Sequence, residues 1–190
     1  MTPNPQESSK LTLEVCMRTL VVHPYDPSTD FLCGIYREHD CDVLRDGNRV
    51  DPGLLIQYNR IIMLGHGSQW GLFTTCGYPA SVYTIDASHQ VSLMGKDNVY
   101  IWCHASMFVA ANGLTGFASG MFISEVNEAS YYGIQATQKE IDYSNHLFAS
   151  VLGKHLNSEE LTKNVLAEYR DDHNPVIHYN STLLLRLTKG

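Results

Sequence analysis

Two stretches decide the fold, RIIMLGHGS at residues 60–68 and NVYIWCHAS at residues 98–106. Each carries a short apolar run rich in β-branched and aromatic side chains, and each run stops in small and polar residues. That length and composition predict a strand rather than a helix. Neither run alternates apolar with polar residues, so both faces of the strand are expected to be buried. Strands of that kind belong to parallel sheets covered by helices on both sides.

The flanking sequence repeats the pattern. TLVVH at residues 19–23 predicts a strand ended by Pro24. Ser28 or Thr29 is expected to cap a helix running to about Glu38, with Phe31, Leu32, Ile35 and Tyr36 at helical spacing. Residues 42–44 suggest a weaker strand, and Pro52 suits the first position of a short helix carrying Leu54, Leu55 and Tyr58. A Gly- and aromatic-rich stretch at 69–85 is expected to form a hairpin. Asp86 should cap a helix to Met94, with Gly95 ending it. Residues 104–112 read as helix, 117–124 as a strand weakened by Gly120, and 134–155 as a long amphipathic helix. Asn157 and Glu160 fit a capping box for a last helix near Arg170, and 182–187 closes as a strand. The expected fold is an α/β three-layer sandwich, with a mostly parallel central sheet and helices on both faces.

Composition bounds the function. The chain has 190 residues, 44% hydrophobic and 17% charged, which predicts one folded domain over 11–190 after a flexible, polar lead-in at 1–10. The net charge of −7 argues against nucleic acid and anionic membranes as partners. No apolar run approaches the ~18 residues of a membrane span, and no secretory h-region is present. The five cysteines form no C-x-x-C pair, so a zinc ribbon is not expected, and the sequence shows no other metal site and no cofactor motif. A reducing cytoplasm with free thiols is the expected setting.

In a sheet of this kind, ligands gather beyond the carboxyl ends of the strands. Two such ends offer complementary chemistry, His66-Gly67 and Cys103. A thiol attacks a carbonyl as its thiolate, and a neighbouring imidazole can take the proton. Cys103 is expected to open a helix whose dipole would lower its pKa further. Gly67 allows close backbone approach, and the N–H groups of Gly67 and Cys103 are candidates for an oxyanion hole.

A strand ending in His-Gly, followed by a strand ending in Cys with a small residue soon after, resembles the caspase-like cysteine peptidases. These include caspases, metacaspases, paracaspases, legumain, separase and the gingipains. The metacaspase form Asp-x-Cys-His-Ser-Gly is echoed by Ile101-Trp102-Cys103-His104-Ala105-Ser106. The resemblance implies a caspase-hemoglobinase fold, with Cys103 as nucleophile, His66 as general base and a peptide or protein substrate. Such peptidases are often zymogens, dimers or parts of larger assemblies, some of them calcium-dependent, so a homodimer or larger assembly stays open. The metacaspase Asp is Ile101 here, the bulky Trp102 precedes the cysteine, and 37 residues separate His66 from Cys103 against ~50 in caspases. In members that cleave after Arg or Lys, acids after the first strand and near the fifth line the pocket. Asp26, Asp30 and Glu125 fall there, although Asp26 and Asp30 also suit turn and cap positions around Pro27-Ser28-Thr29.

Three functions fit these residues. The first is a cysteine endopeptidase leaning to basic residues. The second is a catalytically inactive caspase-like interaction module. The third is a flavodoxin-like nucleotide or flavin protein, for which no Gly-rich phosphate loop is present. Cys16, Cys33, Cys41 and Cys76 read as inert thiols and His104 as structural. His23 stands at a strand end with no partner visible in sequence.

Overall fold

A computed structural model describes residues 18–74 and 83–188. The expected lead-in at 1–10, with Cys16 and Cys76, lies outside them. Strand β1 (Thr19–Val22) leads through a 3-10 helix (Pro27–Ile35) to β2 (Asp42–Leu44), α1 (Pro52–Ile56) and β3 (Arg60–Leu64). Three short strands follow, β4 (Gly67–Ser68), β5 (Gly71–Phe73) and β6 (Tyr83–Asp86), and then a 3-10 turn (Ala87–His89) entering α2 (Gln90–Leu93). The chain continues through β7 (Asn98–Ile101), α3 (Ala105–Ala111), β8 (Gly116–Ser119), α4 (Val126–Tyr131), α5 (Gln138–His155), α6 (Leu161–Glu168), α7 (Pro175–Ser181) and β9 (Leu184–Leu187).

Six strands form the central sheet in the order β2-β1-β3-β7-β8-β9. All its pairings are parallel except that of β9, which runs antiparallel to β8. Alternate residues of the central strands enter two separate cores, as the two-residue period of a strand requires. Val21, Ile62, Leu64, Val99, Ile101 and Phe117 join Leu32, Phe148, Leu152 and Val165 from the 3-10 helix, α5 and α6. Leu20, Val22, Ile61, Met63, Tyr100 and Ala118 join Leu55, Leu93, Phe108 and Val109 from α1, α2 and α3. The sheet is therefore covered on both faces, and β3 and β7 lie at its centre.

Helix α5 carries the first of these layers. Thr137 and Glu140 make a reciprocal capping box at its start, and Ile141, Phe148 and Leu152 fall on one face. At Gly153 the helix touches the 3-10 helix so closely that a Cβ would stand 2.8 Å from the Gly34 carbonyl oxygen. Fully burying a ring such as Phe148, which has 0% exposure, is worth about 2–3 kcal/mol.

Several local expectations are corrected. Asp26, not Ser28 or Thr29, caps the first helix, which is 3-10 in form and ends at Ile35. The strand expected over 117–124 is Gly116–Ser119, because the chain leaves the sheet at Gly120. The capping box at Asn157 and Glu160 does not form. Asn157 Oδ1 instead accepts from Arg60 at 3.1 Å, and Ser158 Oγ accepts the Glu160 N–H at 3.2 Å. Helix α7, capped by Asn174 with Pro175 in its first turn, was not legible and shortens the final strand to Leu184–Leu187. The hairpin expected over 69–85 is part of the antiparallel sheet β4-β5-β6, its central residues 75–82 lying outside those described.

Candidate functional site

His66 and Cys103 emerge from neighbouring parallel strands. Gly65, just past β3, donates its N–H to the Ile101 carbonyl at the end of β7, at 3.0 Å. His66 follows, and its carbonyl accepts the Phe73 N–H at 2.8 Å, which fixes the chain reversal. Gly67 has no room for a side chain: a Cβ there would run into the Trp102 indole and stand 2.6 Å from the Gly71 carbonyl oxygen. Trp102 explains itself here. Its ring is buried against Tyr100 and Phe108, and its Nε1–H donates to the Ser68 carbonyl at 2.9 Å. The bulky residue before the cysteine is thus the peg that ties the His66-Gly67 segment to the cysteine strand.

Beyond β7 the chain turns through His104, which takes a left-handed conformation with φ of 66° and donates its N–H to the Gly120 carbonyl at 2.9 Å. A non-glycine residue there costs on the order of 1 kcal/mol. The Cys103 thiol points to the Phe122 carbonyl, 3.7 Å away. That carbonyl lies in a loop held from α7, where the buried Asn180 accepts the Ile123 N–H at 2.8 Å and donates to the Ile123 carbonyl at 2.9 Å.

The helix after the cysteine does not begin at Cys103. Helix α3 starts at Ala105, and His104 occupies its cap position without a side-chain cap bond. The expected lowering of the thiol pKa is overturned as well. Burial, then the Glu128 carboxylate and more weakly that of Glu125, push Cys103 up to about 12. At neutral pH the Cys103 thiol is therefore held in its protonated form.

His66 and Cys103 both line a small cavity of about 20 Å³, with Phe31, Leu32, Ile101 and Phe122 also on its wall. Phe31 and Ser124 also border a much larger cleft of about 1020 Å³ between the 3-10 helix, the start of α4 and α5. Asp30, Glu38, Glu125 and Asp142 line that cleft, with Arg37 and His146 as its basic residues. Of the three acids expected near a substrate, Asp30 and Glu125 are on its wall, and Asp30 is paired with Arg45 at 2.6 Å. Asp26 is not on the wall. It is 8% exposed, and its Oδ1 accepts the Ser28 N–H at 2.9 Å and the Ser28 hydroxyl at 2.7 Å. Ser28 Oγ in turn stands 2.7 Å from His66 Nε2.

Comparison with family models, with curated proteins and with solved structures found no match. His23, the strand-end imidazole without a sequence partner, is fully buried between Tyr36 Oη at 3.1 Å and Thr29 Oγ1 at 3.3 Å. Burial and the nearby Arg45 guanidinium lower its pKa to about 4, so it is neutral and structural. Sequence reasoning missed Ser28, Glu128, Asn145 and Asn180 as parts of the site. Only Ser28 had a local signal, the Asp-Pro-Ser turn that places it two residues after an acid. Among the described residues, no group of three or more His, Cys, Asp and Glu side chains could hold a metal ion, and no helix is long and apolar enough to cross a membrane.

Proposed function

We propose that the chain is a cysteine endopeptidase of caspase-like fold, acting through His66 and Cys103 and favouring cleavage after a basic residue. One observation carries this reading. Imidazole and thiol rise from the ends of adjacent parallel strands into one cavity, which adjoins a cleft large enough for a peptide side chain.

The chemistry follows from the neutral resting thiol. His66 takes the Cys103 proton as the sulfur attacks the scissile carbonyl, so deprotonation and attack are coupled rather than prepaid. The C–S bond forms, the carbonyl electrons move to oxygen, and the N–H groups of Gly67 and Cys103 are the donors assigned to that oxyanion. His66 then gives its proton to the leaving amine as the C–N bond breaks. A water molecule, deprotonated by His66, attacks the thioester carbonyl. The sulfur leaves and regains the proton.

The lean to basic residues is supported by four carboxylates on the wall of the larger cleft and by Asn145 beside them. Asn145 is 6% exposed and donates Nδ2 to the Ser124 carbonyl at 2.9 Å, but its Oδ1 has no hydrogen-bond partner among the described residues. A buried acceptor left unpaired is costly, and a guanidinium or ammonium donor would satisfy it.

The test is intact-mass labelling with peptidyl electrophiles bearing Arg, Lys, Asp or Asn beside the reactive group. A single adduct that favours Arg or Lys and disappears in Cys103→Ala is expected. The high thiol pKa and the 20 Å³ cavity favour a second reading, a non-catalytic interaction module of the same fold. Labelling scattered over several cysteines, or none at Cys103, would select it.

A further inference from the structure

We propose that Ser28 and Asp26 are positioning residues for His66, fixing its tautomer and ring orientation through a carboxylate–hydroxyl–imidazole chain. The inference rests on the reading of His66 as the general base.

Counting protons along the chain gives its direction. Asp26 Oδ1 takes two donors, the backbone N–H of Ser28 at 2.9 Å and its hydroxyl at 2.7 Å. A carboxylate only accepts, so the single hydroxyl proton of Ser28 is spent on Asp26. The Ser28 oxygen, 2.7 Å from His66 Nε2, is then left with lone pairs alone. That contact is a hydrogen bond only if Nε2 carries the proton. A neutral ring protonated at Nε2 keeps its lone pair at Nδ1, and that nitrogen is the one assigned to the Cys103 proton.

The chain is anchored rather than draped. Asp26 is buried and caps the 3-10 helix, and its own carbonyl accepts the Thr29 hydroxyl at 3.2 Å. Thr29 Oγ1 is in turn within 3.3 Å of the buried His23. The ring of His66 is therefore referred, through Ser28, to the end of strand β1, while its backbone is referred to β3. Its place relative to Cys103 is set from two directions. When His66 becomes an imidazolium during the reaction, the same contact becomes charge-assisted and strengthens at the step where positive charge develops.

The experiment has an arm that does not depend on activity. Long-range proton–nitrogen NMR correlations of the imidazole, assigned by comparison with His66→Gln, report which nitrogen is protonated. Wild type should show the Nε2–H tautomer in the neutral form of the ring. Ser28→Ala should lose that preference, and Ser28→Thr, which restores a hydroxyl, should recover it. In turnover of a peptide that wild type cleaves, Ser28→Ala should lower kcat by ~10²-fold with little change in KM. Ser28→Thr should regain most of that loss, with unchanged far-UV circular dichroism in both variants. A wild-type ring protonated at Nδ1, or a Ser28→Ala ring still locked as Nε2–H, overturns the proposal. An inactive wild type would refute the peptidase reading alone, because the tautomer is still observed.

Discussion

Neutralising Glu128 should make Cys103 more reactive. Glu128 is the leading charged cause, after burial, of a thiol displaced from an ordinary 9.0 to about 12. Three units leave about 10³-fold less thiolate than an ordinary thiol at any pH below both values. A thiolate of higher pKa is also a better nucleophile. With a Brønsted slope of about 0.4–0.5, three units return roughly 15- to 30-fold. The native protein should therefore react with a small disulfide reagent some ~30- to 60-fold more slowly at Cys103 than the urea-unfolded chain at pH 8. Peptide-resolved mass spectrometry reads that rate for each cysteine. Limited access would also slow the reaction, so the shape of the pH profile decides. The rate should keep rising through pH 10 instead of levelling near 9. Glu128→Gln keeps an acceptor for the Ser124 N–H, now 2.8 Å from Glu128 Oε2, but removes the charge, so its profile should move to lower pH. A wild-type profile that levels at or below pH 9 would refute the neutral-thiol argument, and with it the claim that proton transfer and attack are coupled.

Three further outcomes follow from the geometry. His23 is lowered to about 4 in the folded chain against 6.5 unfolded, so the unfolded state binds more protons between those values and stability falls as pH falls through that window. Urea titrations at pH 7 and pH 4 should show about 3 kcal/mol more loss in wild type than in His23→Gln. Asn180→Leu leaves the Ile123 N–H and carbonyl without their partner and should cost ~2–4 kcal/mol in denaturant unfolding, a change within 0.5 kcal/mol being contrary to the role assigned here. Gly67→Ala forces the added methyl against the Trp102 ring and the Gly71 carbonyl, and should destabilise by ~1–3 kcal/mol with a shifted tryptophan emission. A melt and a spectrum identical to wild type would count against the close packing at that position.

Much of the frame was readable because it is local. The apolar runs ending at Leu64 and Trp102 announce central strands, and their ends mark where His66 and Cys103 stand. Asp26 was ambiguous between a pocket acid and a cap, and the structure gives it the cap. What escaped reading is what acts across the fold. Asn180 reaches Ile123 over 57 residues of sequence, and no periodicity encodes such a contact. The thiol was misjudged for a related reason. A helix start next in sequence suggests a favourable dipole, whereas the carboxylates of Glu125 and Glu128, brought close by the turn into α4, weigh the other way. Trp102 looked like a departure from the family pattern in sequence, and its role as a peg is visible only once Ser68 is seen across from it.

The dependence of the cysteine loop on Asn180 has a consequence for the order in which the protein matures. On the ribosome, His66, Cys103 and the whole of the loop around Phe122 emerge long before residue 180. Until that asparagine and the strand β9 beside β8 have followed, nothing yet brackets the Ile123 peptide groups or closes that edge of the sheet. The centre thus lacks these contacts until residue 180 and beyond have been made, although its chemical groups are made early. Stalled chains released just before and just after Asn180 are expected to differ sharply in how selectively Cys103 takes up a peptidyl electrophile, so that the final turn of helix α7 sets the moment at which the thiol acquires its neighbours.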